Sequence, residues 1–529
     1  MSAFTYPGVY IEELQSGQHT ITGVATSIAA FIGWAPQGPV LEATLVESWS
    51  DYQSIYGGIS NAASYLSYAV NQFFANGGTQ AYIVRLAANS NTTPVTQVAT
   101  TATNTIGGLQ LWASNPGAWG NNLQVTITLA PPIPPATTSS RFSLLVQLIA
   151  NSQTTTLESY SNLSVVATDP QYVVTVIDSD SNYITFMDPA NNPPVPPSTG
   201  PAMPTAASAT LGAGTKGFDG DVLDPTDGTQ KFETTLNPSS STTPFTGYHL
   251  LDPVPIFNLL CVPGLSDEPQ LSDLQDYCFS RRAFCIIDSP QLSTPSGLNT
   301  SGPVGNGSTP FSGQNQANSA YYFPWVLAPD PLVGNRPRLF PPSGFVAGIY
   351  AATDADRGVW KAPAGIQAAL SGVLGLQYSL TDAQNGNLNP QAINCLRQFR
   401  VYGDVVWGAR TLAGNDFVGS QWKYVPIRRL ALFLESSLYD GTQWVVFEPN
   451  DETLWGQIRL NVGTFMQGLF LQGAFAGTSP QQAYFVKCDG ENNPASSVAL
   501  GVVNILVGFA PLYPAEFVVI QIQQIIGQN

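Results

Sequence analysis

Between residues 256 and 288 an apolar run (IFNLLCV), a helical stretch from Asp267 to Arg282 and a second apolar run (AFCIID) follow one another. Strand–helix–strand order of this kind forces the two strands to lie parallel, with the helix crossing over one face of the sheet. Cys261 and Cys285 then point into the core. The same grammar opens the chain. The run from Ile21 to Trp34 is apolar and β-branched and reads as a buried strand. Leu66, Val70, Phe73 and Phe74 share one face of a helix over residues 62–76, ended by Gly77 and Gly78, and AYIVRL (residues 81–86) is a further strand.

Between these two α/β stretches the composition changes. Residues 96–245 are rich in Thr, Ser, Pro and Asn, and short runs at 123–129, 142–149, 172–177 and 183–186 read as strands between turns. This predicts an inserted β-rich domain, with residues 191–209 and 290–318 as loops. Two long amphipathic helices follow. One carries Ile427, Leu430, Ala431, Leu434 and Leu438. The other carries Leu454, Ile458, Val462, Phe465, Met466, Leu469 and Phe470, with Asn450 or Asp451 as its N-cap. Residues 484–487 and 517–526 read as closing strands. The expected class is α/β (α+β): a mixed-sheet core built from N- and C-terminal parts of the chain, a β-rich insert and extended terminal arms. The expected segments are 1–35 (arm and first strand), 36–95 and 246–400 (core), 96–245 (insert), 401–513 (C-terminal domain) and 514–529 (strand arm).

Charge narrows the function. Only 10% of the 529 residues are charged, and the net charge is −17. No Lys or Arg precedes Arg85; residues 86–280 hold three basic side chains (Arg141, Lys216, Lys231) against fifteen acidic, and residues 281–487 hold fourteen against twelve. An acidic chain without a basic face is a poor counterion-releasing partner for nucleic acid. Five sparse cysteines form no CxxC pair and predict no disulfide framework. The opening MSAFTYPGVYIEE lacks the basic and apolar regions of a signal peptide. Residues 495–515 are apolar, but Asn504, Pro511, Pro514 and several glycines speak against a spanning helix, so no membrane insertion is expected.

Enzyme signatures are weak. His19 and His249 are the only histidines, and neither HExxH, zinc spacing nor GxSxG occurs. GAGTKG (residues 212–217) matches GxGxxG but follows no strand and opens no helix, so it reads as a glycine-rich turn. The Asp354-Ala355-Asp356 triplet could hold a divalent ion, but Arg357 and Lys361 beside it favour a structural turn. No cofactor, metal or catalytic residue is expected.

Several long motifs, in order, resemble the sheath subunits of contractile phage tails and related injection systems. They are PGVYIEE (7–13), GWAPQGP (33–39), NGGTQAYIVR (76–85), SGFVAGIYAATDADRGVWKAPAG (343–365), WGARTL (407–412), WKYVPIRRL (422–430), WVVFEPNDETLW (444–455) and AEFVVIQI (515–522). Residues 95–245 show no such resemblance. It implies a structural subunit that stacks as hexameric rings around an inner tube, is assembled extended and metastable, and contracts on a baseplate signal. It also implies partners in further copies of itself, the tube, baseplate and tail-terminator proteins and, in some particles, sheath paralogues. Assembly would take place in the bacterial cytoplasm, and the product would be part of a phage tail or injection particle. Two arms would join sheets of neighbouring subunits: Val9, Tyr10, Ile11 and Glu12 at one end, and Phe517, Val518, Val519, Ile520 and Ile522 at the other, with an acceptor that includes residues 484–487. Residues 15–23 would be a hinge. The residues alone fit such an arm, because Ile520 and Ile522 alternate with Gln521 and Gln523, as a strand with one buried face requires. The motif residues Asp354, Asp356, Arg357, Trp360, Lys361, Trp407, Arg410, Trp444 and Glu448 are expected to keep the fold. Arg428 and Arg429 are expected to point outward, towards an acidic arm such as Glu12-Glu13. A non-contractile coat or adhesin fibre is the alternative.

Overall fold

A computed structural model describes residues 20–90, 92–132, 134, 139–150, 152–188, 200–238, 246–305, 310–311 and 313–519. The chain divides into two compact units, Ala25–Arg428 and Met1–Val24 with Arg429–Asn529.

The larger unit begins with β1 (Ala29–Trp34), β2 (Thr44–Val46), α1 (Trp49–Tyr56), α2 (Leu66–Ala75) and β3 (Ala81–Leu86). The insert follows, with β4 (Thr103–Ile106), β5 (Leu109–Ala113), β6 (Leu123–Leu129), β7 (Phe142–Ala150), β8 (Gln153–Leu163), α3 (Val173–Asp180), β9 (Ile184–Thr185), β10 (Ala207–Thr210) and α4 (Lys231–Leu236). The α/β pattern resumes in β11 (Leu259–Cys261), α5 (Glu268–Ser280), β12 (Phe284–Asp288), α6 (Pro295–Ser301) and β13 (Ser319–Phe323). Then come β14 (Val326–Asp330), β15 (Arg336–Phe340), α7 (Ser343–Arg357), β16 (Gly375–Leu376), α8 (Asp382–Leu388), β17 (Ile393–Phe399), β18 (Gly403–Val406) and α9 (Val425–Gly441), which runs through the division between the units.

One eight-stranded sheet, ordered β18-β17-β13-β12-β11-β1-β3-β2, carries the unit. Its six inner strands are parallel, and β2 and β18 close the edges antiparallel. β1, β11, β12 and β13 are buried at every position, because helices cover both faces of a parallel sheet. The predicted strand–helix–strand unit is present, and Asp267 caps α5 by accepting from the Gln270 amide. Cys261 and Cys285 are buried, as expected.

The insert forms a four-stranded sheet, β10-β6-β7-β8, and a three-stranded one, β4-β5-β9. These close on an apolar cluster drawn wholly from residues 102–211. Four expectations fail here and nearby, the first being that residues 191–209 are loop: Ala207–Thr210 form β10, which pairs with β6. Residues 172–177 are not a strand: Val173, Val174 and Ile177 are the buried positions, a helical spacing, and they form α3. The run from Ile21 is a strand only from Ala29 onward. Residues 290–318 are not all loop, since Thr294 caps the short helix α6.

The smaller unit holds the end of α9, then α10 (Glu452–Leu471), α11 (Pro480–Ala483), β19 (Tyr484–Lys487), α12 (Ala495–Ala499) and β20 (Leu506–Phe509). Asp451 caps α10 through the Leu454 amide. β19 and β20 form a two-stranded antiparallel sheet. The apolar 495–515 stretch is thus split between a short helix and a strand, and no described helix is long and apolar enough to cross a membrane.

Candidate functional site

The motif residues fall into two groups, internal struts and an exposed C-terminal surface. Arg85 is the clearest strut. It is fully buried at the end of β3, and its guanidinium donates to four main-chain carbonyls: Ala35 (2.8 Å), Pro36 (3.0 Å), Gly38 and Pro116 (2.9 Å). Burial pushes its pKa down to about 10, while Asp219 favours the charge, so it stays a cation at neutral pH. The motifs at residues 33–39 and 76–85 are therefore two halves of one clamp, which also holds Pro116 of the insert.

The 343–365 motif is α7 and its exit. Gly344 and Gly348 let α7 approach α2. A Cβ at Gly344 would lie 2.6 Å from the Ala69 Cα, and one at Gly348 would lie 2.7 Å from the Phe73 carbonyl oxygen. Gly348→Val is expected to force the helices apart and cost about 1–3 kcal/mol of stability, read as a lower denaturant midpoint. Asp354, Asp356 and Arg357 stand in the last turn of α7, a helix end where the sequence predicted a turn. Trp360 folds its ring over Gly358, and Lys361 donates to the Ala362 carbonyl (2.7 Å). Burial, then Arg357, lowers the Lys361 ammonium pKa.

Asp288, at the end of β12, serves the other end of α7. Its carboxylate accepts from the Ser343 amide (2.7 Å), the Ser343 hydroxyl (2.7 Å) and the Gly264 amide (3.0 Å). Complete burial holds the carboxyl at about 6 instead of 3.8, and the three donors offset this only in part. The folded state therefore binds this proton more tightly than the unfolded chain. The contribution of Asp288 to stability is expected to fall as pH rises from about 4 to about 6, by up to ~3 kcal/mol, and to stay level above that. Asp288→Asn should flatten this segment of a stability-against-pH curve.

The next motif is equally internal. Arg410 is buried, pairs with Asp416 (3.0 Å) and donates to the Gly414 carbonyl (3.3 Å), while its main chain exchanges two bonds with the buried Asn394 amide. Trp407 stacks obliquely on Phe399 at 4.4 Å. The expectation for Arg428 and Arg429 is overturned, as both are buried, at 5% and 3% exposure. The Arg428 Nε donates to the Asn318 side chain (3.0 Å), and the guanidinium lies 4.9 Å from the Trp422 ring centre. The helical spacing was legible, but the Asn318 amide that draws Arg428 inward is 110 residues away. Trp444 is half-buried and Glu448 exposed.

In an open parallel sheet, ligands collect where the strand order reverses, here beyond the ends of β1 and β11. That place is filled by the chain itself. Gly264, just past β11, lies against Tyr65, Pro225 and Thr226, and Tyr65 meets Trp325 edge-on at 5.4 Å. GAGTKG does follow a strand, β10, contrary to expectation, but it opens only a single 3-10 turn, Leu211–Ala213, packed on Asn121 and Asn104. His249 bonds Asp252 (3.0 Å), and His19 lies outside the described residues. Among the described residues no group of three or more His, Cys, Asp or Glu could hold a metal.

The exposed group lies in the smaller unit. β19 and β20 are the only two strands of their sheet among the described residues, and just past β20 Pro511 forms an isolated antiparallel bridge with Phe475. One face, with Tyr484 and Phe509, packs around Phe475. The other presents Phe485 and Leu506, each about half exposed. A lone two-stranded sheet is marginal in water and gains stability from further strands. Beyond it, Phe517, Val518 and Val519 are 76%, 81% and 80% exposed and belong to no strand. Ile520 and Ile522, like Val9, Tyr10, Ile11 and Glu12, lie outside the described residues. Of the expected hinge, Thr20 to Gly23 are described, and Ile21 is buried.

Residues 256–412 match the phage tail sheath protein central domain, and residues 418–525 match the phage tail sheath C-terminal domain. The two cover just over half of the chain, which belongs to the phage tail sheath family. Residues of the chain are 26% identical to a protein described as a prophage major tail sheath protein of Pseudomonas aeruginosa (strain UCBPP-PA14), over 50% of this chain and 66% of that one. They are 27% identical to the tail sheath protein of Vibrio phage KVP40 over 31% of this chain and 23% of that one. The chain thus spans less than two thirds of the length of either relative. The fold is that of the PVC sheath complex of an extracellular contractile injection system in the contracted state (TM-score 0.57, 22% identity, 99% of both chains). It is also that of the contracted helical sheath of the anti-feeding prophage (TM-score 0.54, 23% identity, 99% of this chain and 100% of that one).

Proposed function

We propose that the chain is the structural subunit of a contractile sheath. Copies stack as hexameric rings around an inner tube and are held extended and metastable by the baseplate and a terminator. They shorten on release and drive the tube through a target envelope. The single observation that carries this reading is the exposed apolar tail that follows the two-stranded β19–β20 sheet along the chain. The tail, residues 517–522, adds a strand to a neighbour's sheet, and residues 9–12 add another from a different neighbour. Backbone pairing then survives while the linkers absorb rotation of the bodies. The struts around Arg85, Asp288 and Arg410 make each body rigid enough to rotate as a unit. The 96–245 insert faces outward, and assembly takes place in the cytoplasm before the particle acts.

Electron microscopy of the purified protein tests this. Wide tubes in a long form and a short, broader form are expected. Unchanging fibres would instead favour a non-contractile coat or adhesin. The contracted lattice is expected to bury more surface per subunit than the extended one, that difference supplying the work. Equal buried areas in maps of the two lattices would refute this source of work.

A further inference from the structure

Thr20 to Gly23 line one wall of a cleft of about 460 Å³ whose other walls come from α9 and α10. The segment is pinned there. Ile21 seats against Gly441, Gly23 against the Phe433 ring, and the Val24 amide donates to the Ser437 hydroxyl (3.1 Å). Phe433, Phe465 and Leu469 give the cleft an apolar lining, with Leu460 half exposed. Of its polar lining residues, which include Thr464 and Gln472, Asn461 is the buried one. Asn461 is 93% buried, and its side-chain Nδ2 has no hydrogen-bond acceptor among the described residues. A buried amide donor left unpaired costs about 1–3 kcal/mol, so the site favours an occupant that brings a carbonyl and apolar side chains together. An extended peptide does both.

We propose that, in the unassembled subunit, this cleft seats the chain's own residues 9–11, with a main-chain carbonyl accepting from Asn461. Nineteen residues precede Thr20, and the chain enters the described structure at the wall of the cleft itself. Val9, Tyr10 and Ile11 are three consecutive apolar-bodied side chains in this segment. Residues 12–19 between them and Thr20 include Ser16 and Gly17 and can turn back over a span of up to ~27 Å. A tether that short gives the segment an effective concentration in the millimolar range, which a free neighbour at micromolar concentration does not match. The seat withholds the N-terminal arm until a growing polymer offers a better edge. This deepens the sheath reading and rests on it only for that consequence.

The test uses the full chain with Tyr10→Cys and Thr464→Cys, below the concentration at which tubes form. Thr464 is an exposed position on the rim, and the five native thiols are buried. Mild oxidation is expected to give a crosslink within one chain. Adding Gly468→Leu fills the cleft where a Cβ meets nothing within 4 Å, and should abolish the crosslink. A crosslink only between chains, none at all, or one that persists with Gly468→Leu overturns the seat. Gly468→Leu alone should also speed nucleation, about tenfold if the arm is seated in about nine chains of ten. An unchanged lag overturns the withholding role. If residues 9–12 take no part in assembly, the crosslink still forms while the lag is unmoved. If the seat is wrong, the crosslink fails while assembly still needs those residues.

Discussion

Deletion of residues 517–529 is expected to leave a folded monomer that no longer forms tubes at concentrations where the intact chain does. The described part of this tail contributes little to its own subunit. Phe517, Val518 and Val519 are each at least three-quarters exposed, so their removal should change stability by no more than about 0.5 kcal/mol. The effect on assembly is of a different size. As an added strand, the tail supplies several main-chain hydrogen bonds at about 1 kcal/mol each. It also turns Val518, Ile520 and Ile522 to one face, where each buried side chain adds about 1.5–3 kcal/mol. Ordering the tail opposes part of this gain. A net loss of ~3 kcal/mol per contact already raises the threshold for polymerisation more than ~100-fold, because 1.4 kcal/mol corresponds to a factor of ten. Sedimentation and electron microscopy across a concentration series read the threshold, and denaturant unfolding reads the monomer. Asp at Val518 or Ile520 should reproduce the defect, whereas Gln521→Ser, on the opposite face, should not. Tubes formed by the truncated chain at the normal threshold would contradict the donated strand.

What the amino-acid sequence showed depended on how local the physics was. β3, α2, the β11–α5–β12 unit and the stripes of α9 and α10 are each decided within one element, and their periodicity is visible without partners. Residues 172–177 are too short for the period to decide. Their β-branched residues favour a strand, and only packing against the insert's core selects the helix. Ile21 is buried against Gly441 of α9 and not in a sheet, and such a contact spans over four hundred positions. The candidate site divides in the same way. The alternation of Ile520 and Ile522 with Gln521 and Gln523 is a local pattern and could be read directly. The inward turn of Arg428 could not, because Asn318 is 110 residues away. The motifs themselves were recognisable as patterns, but patterns do not say that Arg85 completes a clamp begun at Ala35. That requires the end of β3 to lie beside the end of β1, a property of the sheet order.

Arg85→Ala should be the most damaging single change in the larger unit. The substitution removes five N–H donors and leaves the carbonyls of Ala35, Pro36, Gly38 and Pro116 without the partner that satisfies them. Each deeply buried carbonyl stranded in this way costs about 1–3 kcal/mol. Arg85 borders a cleft of about 570 Å³ that also touches Pro116, so water can reach part of the vacated space and lessen the total. A loss of about 4 kcal/mol is the expected result, a large fraction of the stability of an ordinary domain. Arg85→Lys separates charge from geometry. Lysine keeps the cation near Asp219 but offers one point donor where the guanidinium offers a planar fork, so it should recover less than half of the loss. Denaturant midpoints for the three proteins give the order. If Lys restores the full stability, the clamp works by charge alone. If Ala costs under 1 kcal/mol, the four carbonyls do not depend on this side chain and the rigid body proposed for the sheath must be held together elsewhere. The clamp also predicts where damage appears. Because Pro116 belongs to the insert and the other three carbonyls to the segment after β1, amide exchange in Arg85→Ala should rise at both places together, ahead of any change in β12 or β13.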